Sequence, residues 1–413
     1  MTNENSLIGI PDFRKLYTAR FISTVGAKFF ALAISWWVLD SGFENASSLL
    51  GIIMAATALG TFGCAPFMGT FADKYSKKKT MLVALIGEAV VVGIVILIFP
   101  VFNHLPLLFA VFAVLIYAFE PLFETSLQSS LNVVVKPSLV PNAVSAISGI
   151  TSFSQALGAA CAGVAITALG VLGAFSLDCA CYLISAWLIA RLVTKIPVKS
   201  NEATNEANAP KASYWKDLAE GFLYVYKDKA LLWLLVFFAV VNLFVSPIVL
   251  ALPIIAKTVF DGTALLMSGY EVSLAIGIVA ITTVLGRVSR KFNRYTGGFW
   301  AILLCGISLV GLSFCRHEYL TFGFVFLFGV GLGLVNVSMM TIFQMYVPVY
   351  IQGRFFSIVN TIAGAVIPLS YAFVGFLSDQ IGVMPLMAVN GCVLAVSSVV
   401  MLLIPKIKGE YIL

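Results

Sequence analysis

Long apolar runs alternate with short polar interruptions along the whole chain. Runs of spanning length cover residues 16–39, 46–72, 80–101, 105–131, 141–169, 171–193, 230–257, 263–286, 297–315, 319–343, 354–379 and 382–404. A bilayer core of about 30 Å takes about 20 apolar residues per helix, so each run predicts one transmembrane helix. Six precede residue 194 and six follow residue 229. Glycine and proline inside the runs do not oppose helices, because membrane helices tolerate both. The one long polar stretch, 196–212, reads "IPVKSNEATNEANAPKA" and predicts a linker between the halves. In 213–229, Trp215, Leu218, Phe222 and Val225 recur at spacings of three and four. That stripe suits an amphipathic helix on the membrane surface, or one packed against the bundle.

Composition agrees with lipid as the solvent. The 413 residues are 60% hydrophobic and 11% charged, whereas a soluble chain carries roughly a quarter charged residues. The first fifteen residues are polar and the first apolar run contains Arg20 and Lys28. A cleavable signal needs an uninterrupted apolar core, so an uncleaved first span is expected. The seven cysteines lie within apolar runs, except Cys315 at a span edge, and none has zinc-ligand spacing with a histidine nearby. They read as small buried residues, and no metal or cofactor is expected.

Positive charge sets the orientation. With the N-terminus inside, 21 of the 25 basic residues fall on the cytoplasmic side and two outside, Lys257 and Arg316. Arg20 and Lys28 lie within span 1. The positive-inside rule then places both termini in the cytoplasm. The formal charge of +6 reflects this topology, and no nucleic-acid partner is implied.

The polar loop after span 2 reads "GTFADKYSKKKTM". Its pattern, Gly69-x3-Asp73-Lys74-x-Ser76-Lys77-Lys78, returns after span 8 as Gly286-x3-Arg290-Lys291-x-Asn293-Arg294, an offset of 217 residues. The chain therefore contains two related six-span halves, as parallel-repeat transporters do. The predicted fold is an all-α membrane protein with twelve transmembrane helices in two pseudo-symmetric bundles. Residues 1–193 form the first bundle, 194–229 the cytoplasmic linker and 230–413 the second bundle.

This loop resembles the signature of the major facilitator superfamily, with Ser76 in place of its second glycine. The resemblance covers the whole chain. It is nearest the drug and siderophore exporter branch, which includes macrolide and enterobactin exporters. "FRKLYTARFIS", Asp40 followed by Gly42, "AVSAISGITSFSQALG" and "FSLDCACYLISA" support that branch. Span 5 carries Gly149, Gly158, Ala162 and Gly163, with Ala159 where the branch has a proline. Gly69, Asp73, Lys74, Lys77 and Arg354 are expected to form a conformational latch. Asp73 would accept from N–H groups at the start of span 11 or from Arg354. Lysines 77–79 can also meet anionic lipid headgroups at about 1 kcal/mol each. A purely topological positive cluster is the plain alternative.

Ionisable groups at membrane depth cost about 2.5–3.5 kcal/mol on insertion scales and so point to function. Here they are Arg20, Lys28, Glu88, Glu120, Glu124, Asp178 and Glu271. At about 1.5 Å per residue, Arg20 and Glu120 fall at similar depth, with Glu124 one turn from Glu120 on the same face. The resemblance implies that spans 1, 4, 7 and 10 line a central cavity, where Arg20 and Lys28 would meet these acids. Glu120 and Glu124 are the candidate proton-coupling groups, since an acid binds its proton in a dry site and releases it beside a cation. A static ion pair between spans 1 and 4 is the competing role. Asp178 matches an acid often found in span 6 of the resembled branch, which implies a role in orienting helices. Glu88 and Glu271 lie on spans expected away from, or at the edge of, the cavity, with Glu271 a candidate outer-gate or cavity group. Asn242, Asn336, Gln344 and Glu271 are the polar candidates of the second half, interleaved with Phe238, Phe244, Met339, Met340 and Phe343. Few polar anchors among apolar walls suit an amphipathic substrate.

Gly329, Gly331 and Gly333 lie inside span 10 with no strand before them, so they are not a nucleotide fingerprint. No Walker pattern is present, and no cluster of side chains suggests an enzyme. The function expected is secondary active transport by alternating access: proton-coupled export of a drug-like or siderophore-like small molecule by a monomer, catalysing no reaction. Proton-coupled import of an anionic metabolite or siderophore is the alternative. The expected location is a bacterial inner or plasma membrane, with protons and lipids as further partners.

Overall fold

The structure, a computed structural model, describes residues 7–193, 222–223, 225–226, 228–288 and 294–403. The linker at 196–212, Trp215 and Leu218 of the stripe, and the Arg290–Lys291 cluster lie outside these residues. Phe222 and Val225 are helical, the first exposed and the second buried.

Among the described residues, eleven helices are long and apolar enough to cross a membrane. One of them, Pro137–Ala190, bends at Gly170, whose φ of 71° and ψ of −178° belong to a region reached essentially by glycine alone. It therefore supplies two crossings, and the predicted twelve are present. In order they are α1 (Pro11–Asp40), α2 (Ala46–Gly69), α3 (Lys77–Phe102), α4 (Pro106–Val134), α5 (140–169), α6 (171–190), α7 (Leu231–Val259), α8 (Ala264–Leu285), α9 (Thr296–Ser313), α10 (Glu318–Tyr346), α11 (Ile351–Ile381) and α12 (Val383–Val400). Helices are the answer to a solvent that offers the backbone no hydrogen bonds. π-helical turns interrupt α2 at Leu59–Gly63 and α7 at Ile255–Val259. Large apolar side chains such as Leu97, Val111 and Phe373 stay on the outside, as lipid-facing positions require. The chain is a multi-pass membrane protein.

The chain divides into two compact units. One holds Met1–Gly42 and Ile52–Ala209, and the other holds Phe43–Gly51 and Pro210–Leu413. In the first unit α1 packs on α5 and α6, α2 on α4, and α3 on α4 and α6. In the second, α7 packs on α11 and α12, α8 on α10, and α9 on α10 and α12. Adding six to each helix number of the first set yields the second. The repeat in the sequence is thus a repeat in packing.

The core of the first unit is aromatic at one end. Trp37 of α1 meets Phe99 of α3 and Phe109 of α4 edge-on, with centroids 5.1 and 4.9 Å apart. Phe99 also meets Phe175 of α6 at 5.5 Å. At the other end, side chains close the C-terminus of α6. Lys15 and Lys78 donate to the carbonyls of Arg191 and Leu192, at 2.7 and 2.8 Å. Cations there also complement the helix dipole. Buried Asp12 accepts from Val193 N–H at 3.1 Å and from Lys15 at 2.8 Å.

In the second unit the three glycines of α10 are packing positions. A Cβ on Gly331 would come within 2.6 Å of Cys305 Sγ of α9. A Cβ on Gly333 would come within 2.6 Å of Ile281 of α8, and one on Gly329 would strike the carbonyl of Leu274 of α8. Here backbone lies on backbone, as small residues permit. Asp379 of α11 accepts from the N–H groups of Ser47 and Ser48, at 3.1 and 2.7 Å, and from the Ser48 hydroxyl at 2.5 Å. It thereby satisfies two N–H groups of the first turn of α2.

Candidate functional site

The first unit carries an open cavity of about 210 Å³ lined from α1, α3, α4 and α6, with Met54 of α2 and Gln155 of α5. Helical phase brings these groups together. Arg20, Ser23, Thr24, Ala27, Lys28 and Ala31 recur every three or four residues on one stripe of α1. Glu120 and Tyr117 share a stripe of α4 with Ile116 and Phe123.

Arg20 is the hub. Its Nη2 lies 3.1 Å from Glu124 Oε2, and its Nε donates to Thr151 Oγ1 of α5 at 3.1 Å. The guanidinium sits 6.0 Å from the Phe123 ring centroid. Only 12% of the Arg20 side chain is exposed, against 38% of Glu124. Gln128 donates to the other Glu124 oxygen at 2.9 Å. Glu120 accepts from Thr61 Oγ1 of α2 at 3.3 Å and opens on the cavity, as Lys28 does. The predicted cluster of Arg20, Lys28, Glu120 and Glu124 is therefore gathered within one unit, with Glu124 holding Arg20 from beside the cavity.

Two further acids lie inside the first unit. Glu88, on a span expected away from the cavity or at its edge, lines it and is 4% exposed. It belongs to the packed stripe Thr80, Ala84, Glu88, Val92 and Val95 of α3. Asp178 of α6 is fully buried, and neither oxygen has a hydrogen-bond partner. An acid flanked on every side by apolar residues cannot face lipid, and that was the available signal for Glu88.

The second unit has a smaller pocket, about 80 Å³, between α7 and α10. Asn242 and Asn336 are its polar groups, set among Phe238, Met339, Met340 and Phe343. Asn242 donates to the Phe238 carbonyl at 2.9 Å. Phe343 stacks edge-on with Phe238 and with Phe355, at 5.5 and 5.1 Å. Gln344 is exposed and does not line this pocket, and Glu271 is partly buried on α8. No group of three or more His, Cys, Asp or Glu among the described residues is placed to hold a metal ion.

Of the predicted latch, Gly69 lies on α2, whose helix runs on to Lys74, an exposed residue. Asp73 is helical, and its side chain lies outside the described ones. Arg354 is exposed at the start of α11. Lys77 is buried and donates to the Ala72 carbonyl at 2.7 Å. With Lys78 on Leu192, two of the three lysines expected at lipid headgroups are turned to backbone carbonyls, and Lys79 is exposed.

Known proteins with the same build are transporters. The chain is 24% identical to the staphyloferrin A transporter of Staphylococcus aureus (strain NCTC 8325 / PS 47), covering 91% of each chain. It is 22% identical to macrolide efflux protein A of Streptococcus pyogenes, covering 96% of each. It is 26% identical to YfiS, an uncharacterized MFS-type transporter of Bacillus subtilis (strain 168), covering 95% of this chain and 93% of that one. The fold matches a point mutant of the nucleoside transporter NupG with a TM-score of 0.76 at 12% identity, over 96% of this chain and all of that one. It also matches a bacterial homologue of the iron transporter ferroportin in its inward-facing state, with a TM-score of 0.74 at 14% identity, over 95% and 98% of the two chains. The family model of the Major Facilitator Superfamily matches residues 16–371, and the chain belongs to that superfamily of transporters.

Proposed function

We propose that this transporter exports an amphipathic small molecule, drug-like or siderophore-like, in exchange for protons. The observation that carries this reading is the Arg20–Glu124 ion pair beside a cavity that Glu120 shares. A carboxylate that loses its cation partner in low dielectric takes up a proton, and one that regains it lets the proton go. Partner exchange at Arg20 is thus a means of proton coupling, with Glu120 and Glu124 as the carriers. The mostly neutral pocket around Asn242 and Asn336 matches the apolar part of such a substrate. The printed names of two relatives, a siderophore transporter and a macrolide efflux protein, lie in the same substrate range. Gly69, Asp73, Lys74, Lys77 and Arg354 act as the latch of the cycle. The protein works as a monomer in a bacterial inner or plasma membrane, both termini cytoplasmic, as the bias of basic residues requires.

Import of an anionic metabolite has one observation in its favour, since Arg20 and Lys28 both line the cavity. The engagement of Arg20 by Glu124 weakens it, because that cation already has its anion. The test is flux in proteoliposomes under an imposed pH gradient, against a panel of siderophores, drugs and organic anions. Substrate movement against the direction of proton flow supports export by exchange, and movement with it overturns that in favour of import. Glu120→Gln should abolish gradient-driven flux while binding persists. Unchanged proton dependence in that variant removes Glu120 from the mechanism. Asp73→Asn should impair transport at normal expression, and near-normal rates would dispose of the latch.

A further inference from the structure

Two carboxamides face one pocket of the second unit with most of their hydrogen-bonding capacity open. Asn242 of α7 and Asn336 of α10 both line it. Asp228, just before α7, accepts from the Tyr346 hydroxyl at the end of α10 at 2.7 Å, so those two helix ends lie at one level. Counted from there at about 1.5 Å per residue, Asn242 stands about 16 Å along α7 and Asn336 about 15 Å along α10. The two amides therefore share a level near the middle of their spans.

Asn242 donates one N–H to the Phe238 carbonyl at 2.9 Å, which fixes the orientation of its amide and leaves Oδ1 and the second N–H open. Asn336 is exposed, and its side chain makes no hydrogen bond among the described residues. It shares a stripe of α10 with Met339, Met340 and Phe343, so its bare amide is turned to the pocket. No residue lining the pocket carries an ionisable side chain. Phe238 and Phe343 stand edge-on at 5.5 Å, and the two methionines add polarizable thioethers suited to ring edges.

Each of these features selects. A carboxylate or an ammonium group entering here would find no counter-charge, and its lost hydration would go uncompensated. A bare hydrocarbon would cover both amides and leave them unpaired. A ketone or ester satisfies the N–H donors and leaves the Oδ1 acceptors dry. A group with N–H beside C=O meets donors and acceptors together, and a flat ring attached to it fills the space between the phenylalanines and the thioethers. At about 80 Å³ the pocket takes one end of a substrate and not all of it.

We propose that this pocket recognises an uncharged amide carried on an aromatic ring, and that Asn336 and Asn242 set this preference. The proposal rests on the reading of the pocket as a substrate subsite and narrows it: the part of the substrate held here is neutral, and an ionised carboxylate is turned away.

The test is saturation-transfer NMR on the full-length protein in lipid nanodiscs, with the signal of empty nanodiscs subtracted. The probes share one ring: 1-naphthamide, methyl 1-naphthyl ketone and 1-naphthoate. The amide should bind about tenfold more tightly than either analogue, as one or two neutral hydrogen bonds allow. Asn336→Leu should abolish that preference and leave the affinity for the ketone as it was, and Asn242→Leu should do the same. Asn242 also holds Phe238, so if Asn242→Leu does not fold, Asn336→Leu decides alone. Asn336→Gln, which keeps a carboxamide, should retain part of the preference. Equal affinities for the probes, no protein-dependent binding of the amide, or a preference that survives Asn336→Leu overturns the proposal. Export in exchange for protons without an amide preference would remove this assignment and leave the transport reading standing. An amide preference lost in Asn336→Leu, with flux running along the proton gradient, would do the reverse.

Discussion

Asp379 and Ser48 are joined twice, through the serine hydroxyl at 2.5 Å and its backbone N–H at 2.7 Å, across 331 positions of sequence. With the N–H of Ser47 added, the carboxylate of α11 closes the open first turn of α2. An acid at a helix N-terminus gains from the hydrogen bonds and from the helix dipole together. The carboxylate is exposed, so solvent screens part of that gain. Asp379→Ala should lower stability by about 1 kcal/mol, with Asp379→Asn in between because one acceptor oxygen remains. Thermal unfolding in detergent checks this, and a double-mutant cycle with Ser48→Ala should show the two effects to be non-additive.

Removing either member of the Arg20–Glu124 pair is unequal in cost. Glu124→Ala leaves Arg20 its Thr151 bond and the nearby acid Glu120, whereas Arg20→Ala leaves Glu124 Oε2 buried without a partner while Oε1 keeps Gln128. A buried charge left without a counter-charge costs more than one that keeps partners. Arg20→Ala should therefore be the more destabilising by about 1–2 kcal/mol, read from chemical denaturation of the two variants side by side. Equal losses would mean that Glu124 Oε2 reaches water in the variant.

Gly170 turns the chain between α5 and α6 in a conformation that side chains avoid. Gly170→Ala should cost about 1–3 kcal/mol through backbone strain alone, since a Cβ there would meet nothing within 4 Å. Gly63→Ala in α2, equally open but helical, is the control and should be near neutral. The comparison is one of melting temperatures.

Phe343 is fully buried against Phe238 and Phe355. Phe343→Ala should destabilise by about 3–5 kcal/mol and enlarge the pocket at Asn242 and Asn336. Asn336→Leu, by contrast, should fold normally and weaken binding of transported substrates. Binding measured by tryptophan quenching separates the two effects.

The number of spans, the repeat and the cluster around Arg20 were legible because each leaves a mark on a single stretch or at a fixed offset. Span length follows from bilayer thickness, and Glu120 with Glu124 follows from helix pitch. Glu88 was misplaced because deciding which spans line a chamber says nothing of rotation about each axis. In a run as uniformly apolar as 81–99, hydropathy carries no phase, and only the acid itself marks the inner face. Asp379 escaped notice for a different reason. A cap lent to one helix by another, hundreds of residues away, has no local signature. Lys77 and Lys78 looked like headgroup anchors because composition shows charge but not the carbonyls within reach of a flexible stem.

The bare backbone seam of α10 has a mechanical corollary. With no side chain of its own at Gly329, Gly331 and Gly333, α10 seats the backbone and short side chains of α8 and α9 directly on its own backbone. These three helices must travel as one stiff plank. Spectroscopic labels on any two of them would keep a constant separation through every stage of turnover.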